Sequence, residues 1–234
     1  MKQTILETWT NTVNIFENAN ENIGLDIYNE LVLLYSSPDR VFHTFEHIEK
    51  MLNTLHTLFS IYSFTEQEKA SAIFATFFHD SVYNPSQHDN EYTDEEMSAS
   101  TAIRALKKMG ITEIHVLDDT YRLITLTGIA DPGPTNLLDK IFIDANRSVY
   151  GIDPHKYLNI MYSIWAEYRN MEFEVFVRLR TDFLSLMLSN NSIFYSEYMK
   201  QMFNDQAIDN ITTELNLLYK LSAEDLIKKV EGYA

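Results

Sequence analysis

The types and spacing of several histidine and aspartate side chains would allow them to bind one ion together. His43 and His47 lie four apart in RVFHTFEHIEKML, the adjacent His79 and Asp80 end the apolar run FATFFHD, and Asp144 lies in LLDKIFIDAN. Residues four apart on a helix project from one face. Taken singly, a buried histidine is more often a core or capping residue than a metal ligand. Together, imidazole and carboxylate suit divalent ions such as Mn, Fe, Co, Ni, Zn or Mg, with positions left for water and substrate.

The pair formed by His79 and Asp80 is the sharpest of these signals. A carboxylate at the end of an apolar helix meets the negative end of the helix dipole, and burying it unpaired costs several kcal/mol. A cation beside Asp80 removes this conflict. The pair therefore predicts a metal site supported by a rigid, buried helix.

Composition limits the classes of partner. The chain has 18 Lys and Arg against 34 Asp and Glu, a formal charge of -16, so duplex nucleic acid and anionic membranes would be repelled. It has no cysteine and no 18-residue apolar run, which predicts a soluble, cytoplasmic protein without disulfides or thiolate-bound metal. An acidic protein that binds a basic partner remains an alternative, although only TDEE is a dense acidic run.

Capping signals and apolar spacing predict an all-α fold. Thr65 with Glu68 and Thr93 with Glu96 form capping boxes, and Gly110 follows a helix that ends in ALKKM. Apolar residues recur at spacings of three and four between these points. The predicted helices span 3–18, 21–36, 43–61, 66–82, 94–109, 115–128, 137–148, 155–170, 173–189, 195–202, 205–220 and 223–231. A short strand at 141–143 is the one alternative to helix.

The chain is predicted to be one domain over 1–234. Six glycines, five prolines and no low-complexity tract leave no obvious linker. We expect a bundle of about ten to twelve helices, with its core at about 20–190 and the C-terminal helices packed on it.

The ordered set of motifs resembles the HD-domain metal-dependent phosphohydrolase superfamily, and within it a group of small bacterial HD proteins. The likeness covers roughly residues 8 to 220. It rests on Phe42-His43 to His47, His79-Asp80 with Tyr83, Asn90-Glu91 or Asp94-Glu95 before Ser98-Ala99, Asp144-Ala145-Asn146, Glu167-Tyr168, Arg180, and Ala207 through Asn210 to Glu214.

The resemblance implies an all-helical HD-type domain that hydrolyses a phosphate ester or nucleotide with metal-activated water. It implies a metal held by one histidine of the first motif together with His79, Asp80 and Asp144. By analogy with cyclic-nucleotide phosphodiesterases, His47 is that histidine and His43 is the proton donor. The reverse assignment, with His43 as ligand, stays open. The implied partner is a small phosphorylated molecule, and an oligomer is compatible with the sequence.

Donors for a phosphate are expected from residues near these motifs. The candidate substrate-binding residues are Arg40, Tyr83, Glu91, Lys140 and Arg147. For the three basic residues the alternative is a surface charge, for Tyr83 a core tyrosine, and for Glu91 a solvated loop residue.

The chain departs from the family pattern at three positions. Ala130 stands where a histidine is usual after Thr127, Asn146 where the second aspartate of Asp-Ala-Asp is usual, and Trp165 where an arginine is usual. An altered substrate or reduced activity would follow. The alternative function is therefore a degenerate HD domain that senses or binds a metal or nucleotide without turnover.

Overall fold

A computed structural model describes residues 4–84, 92–128, 133–189, 192–220, 222 and 224–225. Within these ranges the chain forms ten α-helices, one short 3-10 turn at Ser148–Gly151, and no strand, which confirms the predicted all-α class. The helices are α1 Ile5–Val13, α2 Glu21–Tyr35, α3 Phe45–Ile61, α4 Glu66–Phe78, α5 Asp94–Met109, α6 Ile114–Thr125, α7 Leu137–Arg147, α8 Pro154–Glu167, α9 Phe173–Ser189 and α10 Glu197–Leu218.

Local signals fixed several boundaries as expected. The capping boxes at Thr65 and Thr93 are both complete, with each hydroxyl accepting from the backbone three residues on. Gly110 ends α5 with φ of 93°, a left-handed conformation that glycine adopts without a Cβ penalty. Asp153 caps α8 by accepting from the backbone N–H groups of His155 and Lys156.

The start of α3 and the division of the C-terminal helix differ from prediction. Helix α3 begins at Phe45, since the Thr44 hydroxyl accepts from the Glu46 amide, so His43 precedes the helix. The predicted helices 195–202 and 205–220 are one helix, α10. Asn204 lies inside it and accepts from the Ile193 amide at 2.9 Å, which holds the preceding loop. Segment 141–143 is helical, and the predicted helix 223–231 lies almost entirely outside the described residues.

Helix α4 is the central support of the fold. All of its residues from Ala70 to Phe78 are buried, and it contacts α1, α3, α5, α6 and α7. Trp9 of α1 packs edge-on against Phe74 and Phe77, with ring centroids 5.6 and 5.0 Å away. A helix surrounded in this way holds the residue at its end, His79, in a fixed position.

No helix in the described ranges combines the length and the apolar content that crossing a bilayer requires.

Candidate metal centre

Three side chains converge where the start of α3 meets the end of α4. His47 lies in the first turn of α3, His79 follows the last residue of α4, and Asp80 comes next. His47 Nε2 is 3.2 Å from His79 Nε2, and His79 Nε2 is 2.9 Å from Asp80 Oδ2. One ligand atom from each residue lies within 4.8 Å of the others, and in the described part of the chain no other group of three or more His, Cys, Asp or Glu side chains meets this condition.

These distances fit a shared divalent ion. An ion bound about 2.1 Å from nitrogen and oxygen ligands holds neighbouring ligands about 3.0 Å apart when they subtend a right angle. The two observed separations, 3.2 and 2.9 Å, lie on either side of this value.

Hydrogen bonding shows that acceptor atoms face each other in this group. The Thr76 carbonyl, 2.9 Å from His79 Nδ1, can only accept, so Nδ1 bears a proton and Nε2 is the nitrogen that faces Asp80; without a second proton on the ring, that nitrogen is an acceptor. Asp80 Oδ2 is buried and receives no hydrogen bond from any described residue. Two acceptors this close need a proton or a cation between them, and a backbone partner on the far nitrogen is the usual way to orient a metal-binding imidazole.

The protonation states of His47 and Asp80 match those of metal ligands. Burial, with a smaller effect from His79, lowers the pKa of His47 to about 3, so its imidazole is neutral at ordinary pH. Burial alone would raise the pKa of Asp80, but His79 and His43 outweigh it and lower that pKa well below the usual carboxyl range. A neutral imidazole and an ionised carboxylate are the forms that bind a metal.

His43 lies beside the group rather than in it. Its Nε2 is 4.0 Å from Asp80 Oδ2, while its Nδ1 is 2.6 Å from Glu167 Oε2. Burial lowers the pKa of His43, but the charges of Glu167 and Asp80 outweigh burial, and the net effect is to raise it. This geometry places His47 within the group and His43 outside it.

Glu167, the last residue of α8, is the main residue near the centre that was not predicted from the sequence to belong to the site. Its Oε1 accepts from three successive backbone amides, those of 41, 42 and 43, at 2.7, 2.8 and 2.9 Å. Its Oε2 accepts from the Tyr83 hydroxyl at 2.9 Å. Burial raises the pKa of Glu167, and the hydrogen bonds and the charge of His43 more than reverse this. The only sequence signal for it was the Glu-Tyr pair of the family resemblance.

Asp144 is not brought into the group, contrary to the expectation that it is a ligand. Its two oxygens accept from the Tyr195 and Ser196 amides at 2.7 and 2.8 Å, just before α10. Two residues further along α7, about 200° around the helix, the Asn146 side chain lies within hydrogen-bonding reach of the His47 imidazole. Asn146 also lines the cavity to which His79 and Asp80 contribute.

The five predicted substrate-binding residues have different positions in the structure. Arg40 is held in the structure, with Nη2 donating to the Asp80 carbonyl at 2.8 Å and Nη1 to the His43 carbonyl at 3.2 Å, so it ties the two histidine segments together. The Tyr83 ring packs against the His43 ring at a tilt of 39°, with ring centroids 4.3 Å apart. Arg147 lines the same cavity and donates to the Ile193 carbonyl at 3.2 Å. Lys140 is not among the residues that line this cavity, and Glu91 lies outside the described residues.

The cavity in front of the centre has a volume of about 1670 Å³. His43, His79, Asp80 and Asn146 contribute to its wall. Further along, it is lined by tyrosines and arginines, among them Tyr83, Tyr121, Tyr168, Tyr195, Arg147 and Arg178. It has room for a phosphorylated small molecule with an aromatic or sugar part.

Comparison with known proteins adds no relative: no family model, no curated protein and no solved structure matches this chain.

Proposed function

We propose that this protein is a metal-dependent phosphohydrolase of the HD type, which hydrolyses a small phosphate ester or nucleotide in the cytoplasm. The observation that supports this most directly is the convergence of His47, His79 and Asp80, whose ring nitrogens and carboxylate oxygen lie within 4.8 Å of one another. The residues fit a divalent ion in their number, spacing and protonation state. Once bound, such an ion would polarise a phosphoryl oxygen and lower the pKa of a coordinated water.

The chain's own residues supply the acid. In hydrolysis, water adds to phosphorus, the bond from phosphorus to the leaving oxygen breaks, and that oxygen takes up a proton. His43 offers this proton from Nε2, since Glu167 holds Nδ1 at 2.6 Å and turns Nε2 toward the centre. A raised pKa keeps more of the imidazole in its acid form near neutral pH.

A non-catalytic metal-binding or nucleotide-binding module is the second candidate. One observation favours it: an uncharged amide, Asn146, faces His47 where the family pattern has a carboxylate. Such a module would hold the ion without hydrolysing an ester.

One experiment separates the two candidates. The purified protein is assayed for bound metals by elemental analysis, and then for phosphate release from a panel of phosphoesters and nucleotides with added Mn, Co, Ni or Mg. We expect a bound metal and turnover. Bound metal without turnover supports the module, and protein that neither binds metal nor turns over contradicts both.

Two variants test the proposed roles of Asp80 and His43 in the same assay. Asp80→Ala should lose the metal and the activity together, since it removes the only carboxylate of the group. His43→Ala should lose activity and keep the metal. If His43→Ala instead loses the metal, His43 is a ligand and the assignment of the two histidines is reversed.

A further inference from the structure

One part of the cavity in front of the centre is apolar. This apolar wall consists of side chains of α8 and α9 at helical spacing, Ile160, Ile164, Val175, Leu179, Phe183 and Leu186. Residues three and four apart share one helical face, so the four residues of α9 make one stripe. At about 1.5 Å per residue, that stripe is about 16 Å long.

The described chain leaves the α9 part of this wall open. Leu179 is 40% exposed and Leu186 is 53% exposed, and both line the cavity. Packing against the core uses other residues of α9, since its buried residues are Phe176, Leu184 and Met187. Large apolar side chains exposed along a cavity are typical of a binding site for an apolar group.

Contacts between α8 and α9 connect the apolar wall to the candidate metal centre. Glu167, the last residue of α8, holds His43 at 2.6 Å. The next residue, Tyr168, packs against Phe176 of α9 with ring centroids 5.7 Å apart. The apolar wall and the centre also line one cavity. A ligand with its phosphate at the centre can therefore extend its remaining part along α9.

Helix α9 offers no hydrogen-bond acceptor to a nucleobase or a sugar. The two polar side chains that it contributes to the cavity are Arg178 and Arg180, and an arginine can only donate. Arg180 Nε already donates to Glu214 at 2.7 Å. Base amino groups or sugar hydroxyls placed here would lose their hydrogen bonds to water, which selects against them. Polar side chains such as Glu95 and Thr125 line a different part of the cavity, from α5 and α6.

We infer that the phosphate ester held at this centre is the ester of an apolar alcohol, whose hydrocarbon part lies against the apolar wall. The inference rests on the proposed function. It narrows the substrate from phosphate esters and nucleotides in general to amphipathic phosphate esters, and it assigns the choice of alcohol to α8 and α9.

Binding of alkylphosphonates tests this inference without turnover, because hydrolysis does not cleave their phosphorus–carbon bond. Methyl-, butyl- and hexylphosphonate are titrated into the full chain by calorimetry, with and without Mn²⁺. Moving one CH₂ from water to an apolar surface tightens binding up to about fourfold, so hexylphosphonate should bind at least about tenfold more tightly than methylphosphonate. The phosphonate analogue of adenosine monophosphate should bind more weakly than hexylphosphonate. Equal affinity for the methyl and hexyl compounds, or tighter binding of the adenosine analogue, would overturn the inference.

Variants of the exposed leucines show whether the apolar wall causes this gain. Leu179→Ser and Leu186→Ser should each lose most of the gain from methyl- to hexylphosphonate and keep the affinity for methylphosphonate. Leu33→Ser is the matched control, since Leu33 is 74% exposed on α2 and is not among the described residues that line the cavity. A full gain in both cavity variants would overturn the assignment. A native dimer that Leu186→Ser dissociates, with no gain from the hexyl chain, would overturn it too, because a second copy would then cover the apolar wall.

The two proposals can fail separately. A protein that binds hexylphosphonate through the apolar wall but hydrolyses no ester leaves this inference standing and removes the enzyme. One that hydrolyses alkyl phosphates with a kcat/KM independent of chain length keeps the enzyme and overturns the inference. A protein that binds neither Mn²⁺ nor hexylphosphonate overturns both.

Discussion

His47 Nε2 and His79 Nε2 lie 3.2 Å apart, although 32 residues separate them in the chain. Packing of α3 against α4 brings them together, because the first turn of α3 lies beside the last turn of α4. Both imidazoles are at least 98% buried, so neither can be directed at solvent. Without a metal one of these nitrogens must donate a proton to the other, and a divalent ion can take the place of that proton.

Mn²⁺ should therefore stabilise the protein against heat. At one hundred times the dissociation constant, binding to the folded state adds about 2.7 kcal/mol. For a chain of this size that raises the melting temperature by about 5–10 °C. His79→Ala should abolish the shift, whereas His56→Ala, an exposed position on the same α3, should keep it. Scanning calorimetry with and without Mn²⁺ measures both, and a full shift in His79→Ala would contradict the site.

The fold was largely predictable because its signals are local. Apolar periodicity and capping side chains gave the helical class and most boundaries, since a cap such as Thr65 acts on the amide three residues away. A helix boundary was predicted wrongly where a polar side chain forms a hydrogen bond with a residue several turns away in the sequence. The predicted break between 202 and 205 is absent, because Asn204 lies within α10 and its side chain accepts from the Ile193 amide eleven residues earlier.

The site was predictable in part. His79 and Asp80 were found from residue type and position, and His47 from its spacing to His43 together with the family resemblance that favours it as the ligand. The choice between Asp144 and Asn146 depends on the rotation of α7 relative to α3, which the sequence does not contain. The role of Glu167 depends on a contact that spans 124 residues of chain.

Glu167→Gln should impair the acid step rather than the metal. Glu167 acts through His43, so it is a positioning residue, and losing it should lower kcat about a hundredfold with little change in KM. Without the carboxylate the pKa of His43 falls, so the alkaline limb of the pH profile moves to lower pH. Glu174→Gln, exposed in the first turn of α9, is the control. An unmoved pH profile in Glu167→Gln would rule out this coupling.

The same pair should make stability depend on pH. The lowered pKa of Glu167 gives a stabilising contribution that is present above its ordinary value of 4.5 and is lost as pH falls through the folded value. The raised pKa of His43 gives one that is present below 6.5 and is lost as pH rises through the folded value.

In metal-free protein, the difference in unfolding free energy between the native chain and Glu167→Gln should therefore be largest between about pH 4.5 and 6.5. It should shrink on both sides of that window. Urea denaturation at a series of pH values measures it. A difference that stays constant from acid to alkaline pH would mean that the two groups do not form an ion pair.

Arg180→Ala should destabilise the fold without affecting the metal. Arg180 donates to both oxygens of Glu214 at 2.7 and 3.2 Å, the Tyr157 hydroxyl donates to the same carboxylate, and Glu214 is fully buried. Removing the cation leaves that charge without its partner, at a cost of about 3–5 kcal/mol. Arg169→Ala is the matched control, since its pair with Asp39 at 3.3 Å is exposed and should contribute at most about 1 kcal/mol.

Denaturation midpoints of the two variants give their stabilities, and calorimetry gives their Mn²⁺ affinity. Equal losses in the two variants would mean that the buried ion pair contributes no more than the exposed one, and a weakened metal site in Arg180→Ala would mean that this cluster supports the centre.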